Sequence, residues 1–356
     1  MNPLKEWKTF FPKLSSDIFR ISLRQTILFA AISLIPALMT SCVNEEEFEN
    51  NPNGNFEALW KIMDEHYCFF PLKEKELGVN WNEVHERYKR QVSAPLNSDQ
   101  LFEVLGNMLG ELRDGHVNMS SSFDLARNWS WREDYPANVS DTLLRAYLDT
   151  DYRQTCGMQY RFLDDNIGYI RCSSFGQAIG DGNIDEILFY LAPANGLIID
   201  VRSNGGGMLT SAEALARRFT NRDIIVGYMQ HKTGKGHEDF SAMAEQHLSA
   251  SNRLRWQKKV VVLTNRGVYS AANEFVKYMK VCGATIVGDR TGGGAGMPFS
   301  SELPNGWSIR FSACPMYDIN GNSTEQGINP DINVALSDED FRRGKDSIIE
   351  YARKLF

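Results

Sequence analysis

Apolar positions along the chain change period partway, and the change separates two kinds of architecture. Between residues 56 and 113 they recur three or four apart: Phe56, Leu59, Trp60 and Met63, then Trp81, Val84 and Tyr88, then Leu101, Leu105, Met108, Leu109 and Leu112. That spacing collects them on one face of each helix, and Ser98-Asp99 offers a cap for the last segment. A small helical bundle is predicted over 56–115. Residues 116–166 hold no clean period and read as a connecting region in which Trp129 and Trp131 are packing residues. From residue 167 short β-branched runs alternate with amphipathic ones. Strands are predicted at 167–172, 196–201, 224–229, 259–263 and 285–288, and helices at 184–191, 210–219 and 271–281. A hairpin-like strand at 307–311 and a closing helix at 338–356 follow. Such an order needs crossover connections, so an α/β domain with a largely parallel sheet is expected over 167–356.

The first 42 residues obey neither pattern. Lys5, Lys8, Lys13, Arg20 and Arg24 precede an apolar run at 26–39. At about 14 residues it is short for a spanning helix, which needs about 20, and suits an export signal. The run ends in Leu38-Met39-Thr40-Ser41-Cys42, where small residues directly before a cysteine resemble a bacterial lipobox. That resemblance implies a signal peptide over 1–41, acylation of Cys42 and a polar tether over 42–55, although Met39 stands where a leucine is usual. The alternative is an anchor that is never cleaved. Either way the remainder is expected outside the cytoplasm, held near a membrane; acylation of Cys42 implies a cell-envelope lipoprotein on the periplasmic or surface-facing side of a Gram-negative outer membrane. Glu45-Glu46-Glu47 after the cysteine resembles a surface-export signal, or is a solvated linker.

Composition removes several function classes. A net charge of -7 leaves no basic stripe for neutralising phosphates, so nucleic acid is not the expected partner. Beyond Cys42 the cysteines are Cys68, Cys156, Cys172, Cys282 and Cys314, an odd set without regular spacing or a CxxC pair. Neither a disulfide framework nor a structural metal is expected, and no cofactor is called for. His231 and His237 lie among lysines and glycines and read as a mobile substrate-side loop rather than as ligands.

Four stretches can carry chemistry. Val260-Val261-Val262-Leu263 is a buried strand, Thr264 to Tyr269 a turn, and Ser270 opens a helix. A hydroxyl there is either an N-cap or a nucleophile beside the helix's unpaired N–H groups. Asp200-Val201-Arg202-Ser203-Asn204-Gly205-Gly206-Gly207 follows another buried strand, and its glycines let backbone N–H groups approach a bound oxyanion. The run lacks the Gly-Lys-Ser/Thr ending of a P-loop. His116, in Arg113-Asp114-Gly115-His116-Val117, is a solvated turn histidine or a base whose ordinary pKa suits a serine. Glu325, in a turn-rich stretch that ends Gly327-Ile328-Asn329-Pro330-Asp331, is an exposed acid or the group that orients the imidazole.

Together and in this order, these motifs resemble the tail-specific serine peptidases, the family of the C-terminal processing peptidases and the tricorn core protease. The resemblance covers most of residues 56–334 and implies a crotonase-like spiral of β-β-α units. It also implies Ser270 as nucleophile, His116 as base, Glu325 as its orienting acid, and Gly206 and Ala271 as oxyanion donors, acting on peptide or protein substrates. Processing peptidases activate the serine with a lysine, but Gly294 stands at that position, so a Ser-Lys dyad is excluded. The histidine-using, tricorn-like branch fits better, with one departure. Its serine before the histidine is here Gly115, which leaves Glu325 to act directly or through water, or Asp114 to share the role. Two rivals remain: a non-catalytic peptide- or apolar-ligand-binding lipoprotein on the same scaffold, and an esterase. The esterase lacks glycines flanking Ser270.

Overall fold

A computed structural model describes residues 47–129 and 135–356. The expected signal peptide, Cys42, the start of the tether and Trp131 lie outside the described residues. Residues 48–356 form one compact unit.

The chain enters through a helix at Pro52–His66, with Pro52 in its first turn and the Asn51 side chain accepting the Gly54 N–H at 2.8 Å. Helices at Phe70–Leu77, Trp81–Val92 and Ser98–Gly110 follow. The last is capped one residue earlier than expected, by a reciprocal pair between Asn97 and Gln100. Among the described residues thirteen strands follow: β1 Asn118–Ser120, β2 Leu125–Arg127, β3 Arg153–Thr155, β4 Met158–Phe162, β5 Gly168–Cys172, β6 Leu197–Asp200, β7 Ile224–Met229, β8 Ala244–Leu248, β9 Val260–Thr264, β10 Thr285–Gly288, β11 Gly296–Glu302, β12 Ser308–Tyr317 and β13 Ile332–Asn333.

They build two sheets. In the first, ordered β13-β10-β9-β6-β5-β4-β3, the five strands from β13 to β5 are parallel and β4 and β3 add antiparallel edges. Every residue of β5, β6 and β9 is buried, as a parallel sheet covered on both faces requires. Ile170, Ile199 and Val262 face helices Asp181–Leu191, Leu209–Ala216 and Ala271–Val281. Tyr169, Ile198 and Val261 face helices Asp141–Leu148 and Ser347–Arg353. The second sheet runs β2-β1-β12-β7-β8, with β11 also on β12. Ile309 and Phe311 of β12 pack into the same core as Phe56, Leu59, Leu105 and Met108, so the N-terminal helices are lids on this sheet.

Three expectations change. Residues 224–229 do form a strand, but it pairs antiparallel with β8 and β12 in the second sheet. β12 continues to Tyr317, well beyond residue 311. The closing helix is two, Asp338–Arg342 and Ser347–Arg353, separated at Gly344, whose φ is 73°.

Candidate active site

Ser270 sits between the turn after β9 and the helix Ala271–Val281. Its φ of 56° and ψ of −125° are far from the extended backbone of an N-cap, and its side chain caps nothing. A non-glycine residue held there costs about 1–3 kcal/mol and persists only where the surroundings over-determine it. They do so here: Ser270 N–H donates to Gly293 O at 2.8 Å, Tyr269 N–H to Asn204 O at 3.0 Å and Gly292 N–H to Val268 O at 2.7 Å. The strained turn aims Ser270 Oγ at His116 Nε2, 3.0 Å away and 154 residues earlier in sequence.

His116 lies in the loop between helix Ser98–Gly110 and β1 and is 6% exposed. Asp114 anchors that loop. Its Oδ1 accepts the His116 N–H at 2.8 Å and the Tyr269 hydroxyl at 3.4 Å. Its Oδ2 accepts the Tyr67 hydroxyl at 3.0 Å and the Ser312 hydroxyl at 2.9 Å. Burial pushes the imidazole pKa down to about 4; the Asp114 charge opposes this and the Arg310 charge adds to it. The ring is therefore neutral at neutral pH, the state a base needs. When the serine hydroxyl donates to Nε2, the ring proton belongs on Nδ1, which is buried without a hydrogen-bond partner among the described residues.

Glu325 does not reach the imidazole by a hydrogen bond. Its Oε2 accepts the Ala295 N–H at 2.8 Å, and its Oε1 lies 3.9 Å from Lys73 Nζ. Burial, reinforced by the nearby Asp114 charge, raises its pKa well above the usual carboxylate range despite Lys73. The carboxylate that bears on His116 is Asp114, through the loop backbone and its field. Of the two expected oxyanion donors, Gly206 and Ala271, the first has its N–H turned to another partner. Gly206 presses on the nucleophile, since a Cβ there would stand 2.8 Å from Ser270 Cβ and 3.0 Å from Ala271 N. Its own N–H, however, donates to Asn204 Oδ1 at 2.9 Å. Gly207 and Ala271 keep N–H groups without a partner among the described residues.

Tyr269 went unnoticed in the sequence, and it explains both departures from the family pattern. A Cβ on Gly294 would stand 2.4 Å from its ring, and one on Gly115 2.9 Å from its hydroxyl and 2.5 Å from Trp129. The tyrosine fills the space that a lysine at 294 would need, with the His116 ring 5.0 Å away and Trp129 edge-on at 5.3 Å. A bulky residue next to the serine, matched by two glycines, was the available signal. The 231–237 loop touches the N-terminal helices: His237 bonds Asp64 at 2.8 Å and stacks on Phe70 at 4.3 Å, and Lys235 bonds Glu65 at 2.9 Å. A groove of about 1850 Å³ beside the N-terminal helices is lined by Arg113, Arg127 and Trp129, among others.

Known peptidases resemble the chain in sequence and in fold. Residues 166–334 match the model of peptidase family S41, and residues 48–110 that of the tricorn protease C1 domain. A crystal structure of a candidate peptidase from Parabacteroides merdae is 50% identical, with a TM-score of 0.81 over 86% of this chain and 97% of that one. The carboxy-terminal processing protease CtpA of Bacillus subtilis is 24% identical over 49% of this chain and 36% of its own length. The tricorn protease of Thermoplasma acidophilum is 26% identical over 52% of this chain and 16% of its own. The chain thus spans about a third or less of these two curated relatives. The parallel sheet with its N-terminal helices is the crotonase-like mixed α/β fold of such peptidases. On the family model, the shared fold and the half-identical relative, the chain belongs to peptidase family S41.

Proposed function

We propose that the chain is a serine peptidase of the cell envelope, tethered by lipid on Cys42, that hydrolyses peptide bonds of proteins or peptides. The 3.0 Å contact between Ser270 Oγ and His116 Nε2 carries this reading. A surface serine and a turn histidine 154 residues apart have no folding reason to meet at that distance. Ser270 Oγ attacks the scissile carbonyl while Nε2 takes its proton, and the imidazolium returns the proton to the leaving amine. The Asp114 charge offsets the imidazolium, and Asp114 and Tyr269 position the ring. Glu325 completes the buried acidic pair behind it, its carboxyl held well above the usual carboxylate range by burial and by the Asp114 charge. Ala271 and Gly207 N–H groups supply oxyanion donors, with Gly206 giving the close approach. The envelope location rests on the charged and apolar pattern of residues 1–42. Among the described residues no helix is long and apolar enough to cross a membrane.

Labelling with a fluorophosphonate probe tests the reading. The wild type is expected to label at Ser270, Ser270→Ala not at all, and His116→Ala about a hundredfold more slowly, the usual loss on removing a general base. Circular dichroism should report a retained fold in each. A wild type that fails to label, yet binds peptides, would identify the non-catalytic binder instead.

A further inference from the structure

Helix Phe70–Leu77 turns a lysine inward and a leucine out. Lys73 is 4% exposed and Leu77, one turn further on, is 39% exposed, while Glu74, Lys75 and Glu76 between them face solvent. Lysines ordinarily lay their stems on apolar neighbours and keep the charged head in water. This one does not. A buried ammonium is destabilising unless it is closely paired and hydrogen-bonded. Lys73 Nζ nevertheless stands 3.5 Å from Arg113 O and 3.9 Å from Glu325 Oε1, with no closer polar partner among the described residues. An unbranched apolar side chain would fill the same space more stably. Where a chain departs this far from its own local preferences, function is the first explanation to test.

Both groups that the ammonium reaches belong to the base. Arg113 opens the loop that carries Asp114 and His116, and its φ of 45° lies in the left-handed region that residues with a Cβ rarely enter. Its carbonyl marks the strained end of that loop. Asp114 follows, accepting the His116 N–H at Oδ1 and the Tyr67 and Ser312 hydroxyls at Oδ2. Glu325 faces Asp114 from the loop, Tyr67 and Cys68 from the turn before the helix, and Lys73 and Glu76 from the helix itself. Of these, Lys73 alone is cationic. Burial and the Asp114 charge drive Glu325 toward the protonated acid, and the Lys73 charge opposes them. Tyr67 and Lys73 come from one short stretch, so the first helices brace the loop at two points besides covering the second sheet.

We propose that Lys73 is a positioning residue for the general base, holding the Arg113 end of the His116 loop and supplying the counter-charge to Glu325. The inference rests on the peptidase reading, which gives His116 its role. Lys73 acts through Arg113 O and Glu325 rather than on Ser270 or the imidazole. A carboxylate at 325 beside Asp114 favours the imidazolium that forms when Nε2 takes the serine proton. Without the ammonium, the strained carbonyl loses its donor and Glu325 its counter-charge.

The rate of fluorophosphonate labelling at Ser270 reads the base without any peptide substrate. Lys73→Met keeps the unbranched stem and removes the ammonium. In the full-length chain it should slow maximal labelling about tenfold, the worth of one charged hydrogen bond, with the half-saturating probe concentration and the circular dichroism unchanged. Glu325→Gln keeps an acceptor for the Ala295 N–H but strands the Lys73 charge, so Lys73→Met added to Glu325→Gln should label faster than Glu325→Gln alone. A lysine that only packs predicts two losses that add. Labelling of Lys73→Met at the wild-type rate, or simple addition of the two losses, overturns the proposal. Should Lys73→Met fail to fold, Lys73→Gln, which retains an N–H donor for Arg113 O without the charge, decides the point by the same comparison. A wild type that does not label overturns the peptidase reading and this proposal with it, whereas equal labelling of wild type and variant overturns this proposal alone.

Discussion

His116 starts from burial, with no carboxylate on its ring among the described residues and a pKa held down to about 4. For a base this moves the working range. The acid limb of kcat/KM, which reports the free enzyme, is expected near pH 4 rather than near the 6.5 of an ordinary imidazole, and a pH–rate profile checks it. The same residue makes stability depend on pH in a defined direction. Between pH 4 and 6.5 the unfolded chain binds a proton at this position and the folded chain does not, so stability rises with pH across that window. Below it the full cost, on the order of 3 kcal/mol, is present. Denaturant midpoints at both ends of the window should differ, and His116→Gln should remove that part of the difference. A limb near 6.5 in the wild type would show an imidazole far more solvated than this one.

Between elements, the meeting of the helix Ala271–Val281, the glycine turn before β11 and the His116 loop is filled by one ring. Tyr269 excludes a side chain at Gly294, which also has φ of 78°. Gly294→Lys is therefore expected to destabilise the fold by about 1–3 kcal/mol through overpacking and to build no Ser-Lys dyad. Assaying it in a His116→Ala background checks this, since rescued activity would mean the lysine had found the serine. Tyr269→Phe keeps the packing and loses the bond to Asp114, so kcat should fall with little change in KM. Much of this scale was legible in advance. Strands β5, β6, β9 and β10 and the helix Ala271–Val281 announce themselves by unbroken apolar or helical periods. Short polar strands do not: β8 reads Ala-Glu-Gln-His-Leu and is a strand only because β7 lies beside it. Ser270 and His116 could be singled out from their contexts, whereas Asp114 could be named only as an alternative to Glu325 and Tyr269 not at all. Asp114 and Tyr269 gain their roles from tertiary contacts that spacing along the chain does not encode.

Across the whole molecule, buried charge pairs hold distant segments together. Arg202, just past β6, is fully buried between Asp200 and Asp346, at 2.6 and 2.8 Å, and so ties the loop before Gly206 to the C-terminal helix. Asp346→Ala leaves that guanidinium half-paired and should cost about 3–5 kcal/mol, seen as a large fall in thermal midpoint. A variant melting like the wild type would mean Asp200 suffices alone. The expected bundle and catalytic regions proved inseparable for a related reason: β12, from the last fifth of the chain, runs under the first helices. Ser312 of that strand holds Asp114, which holds His116. This ordering has a consequence for a chain that is made from one end. The base is synthesised early, the nucleophile much later and the strand that braces the base later still. A nascent chain thus carries the parts of the site without the site, and the cell that makes it is safe from it until β12 is home.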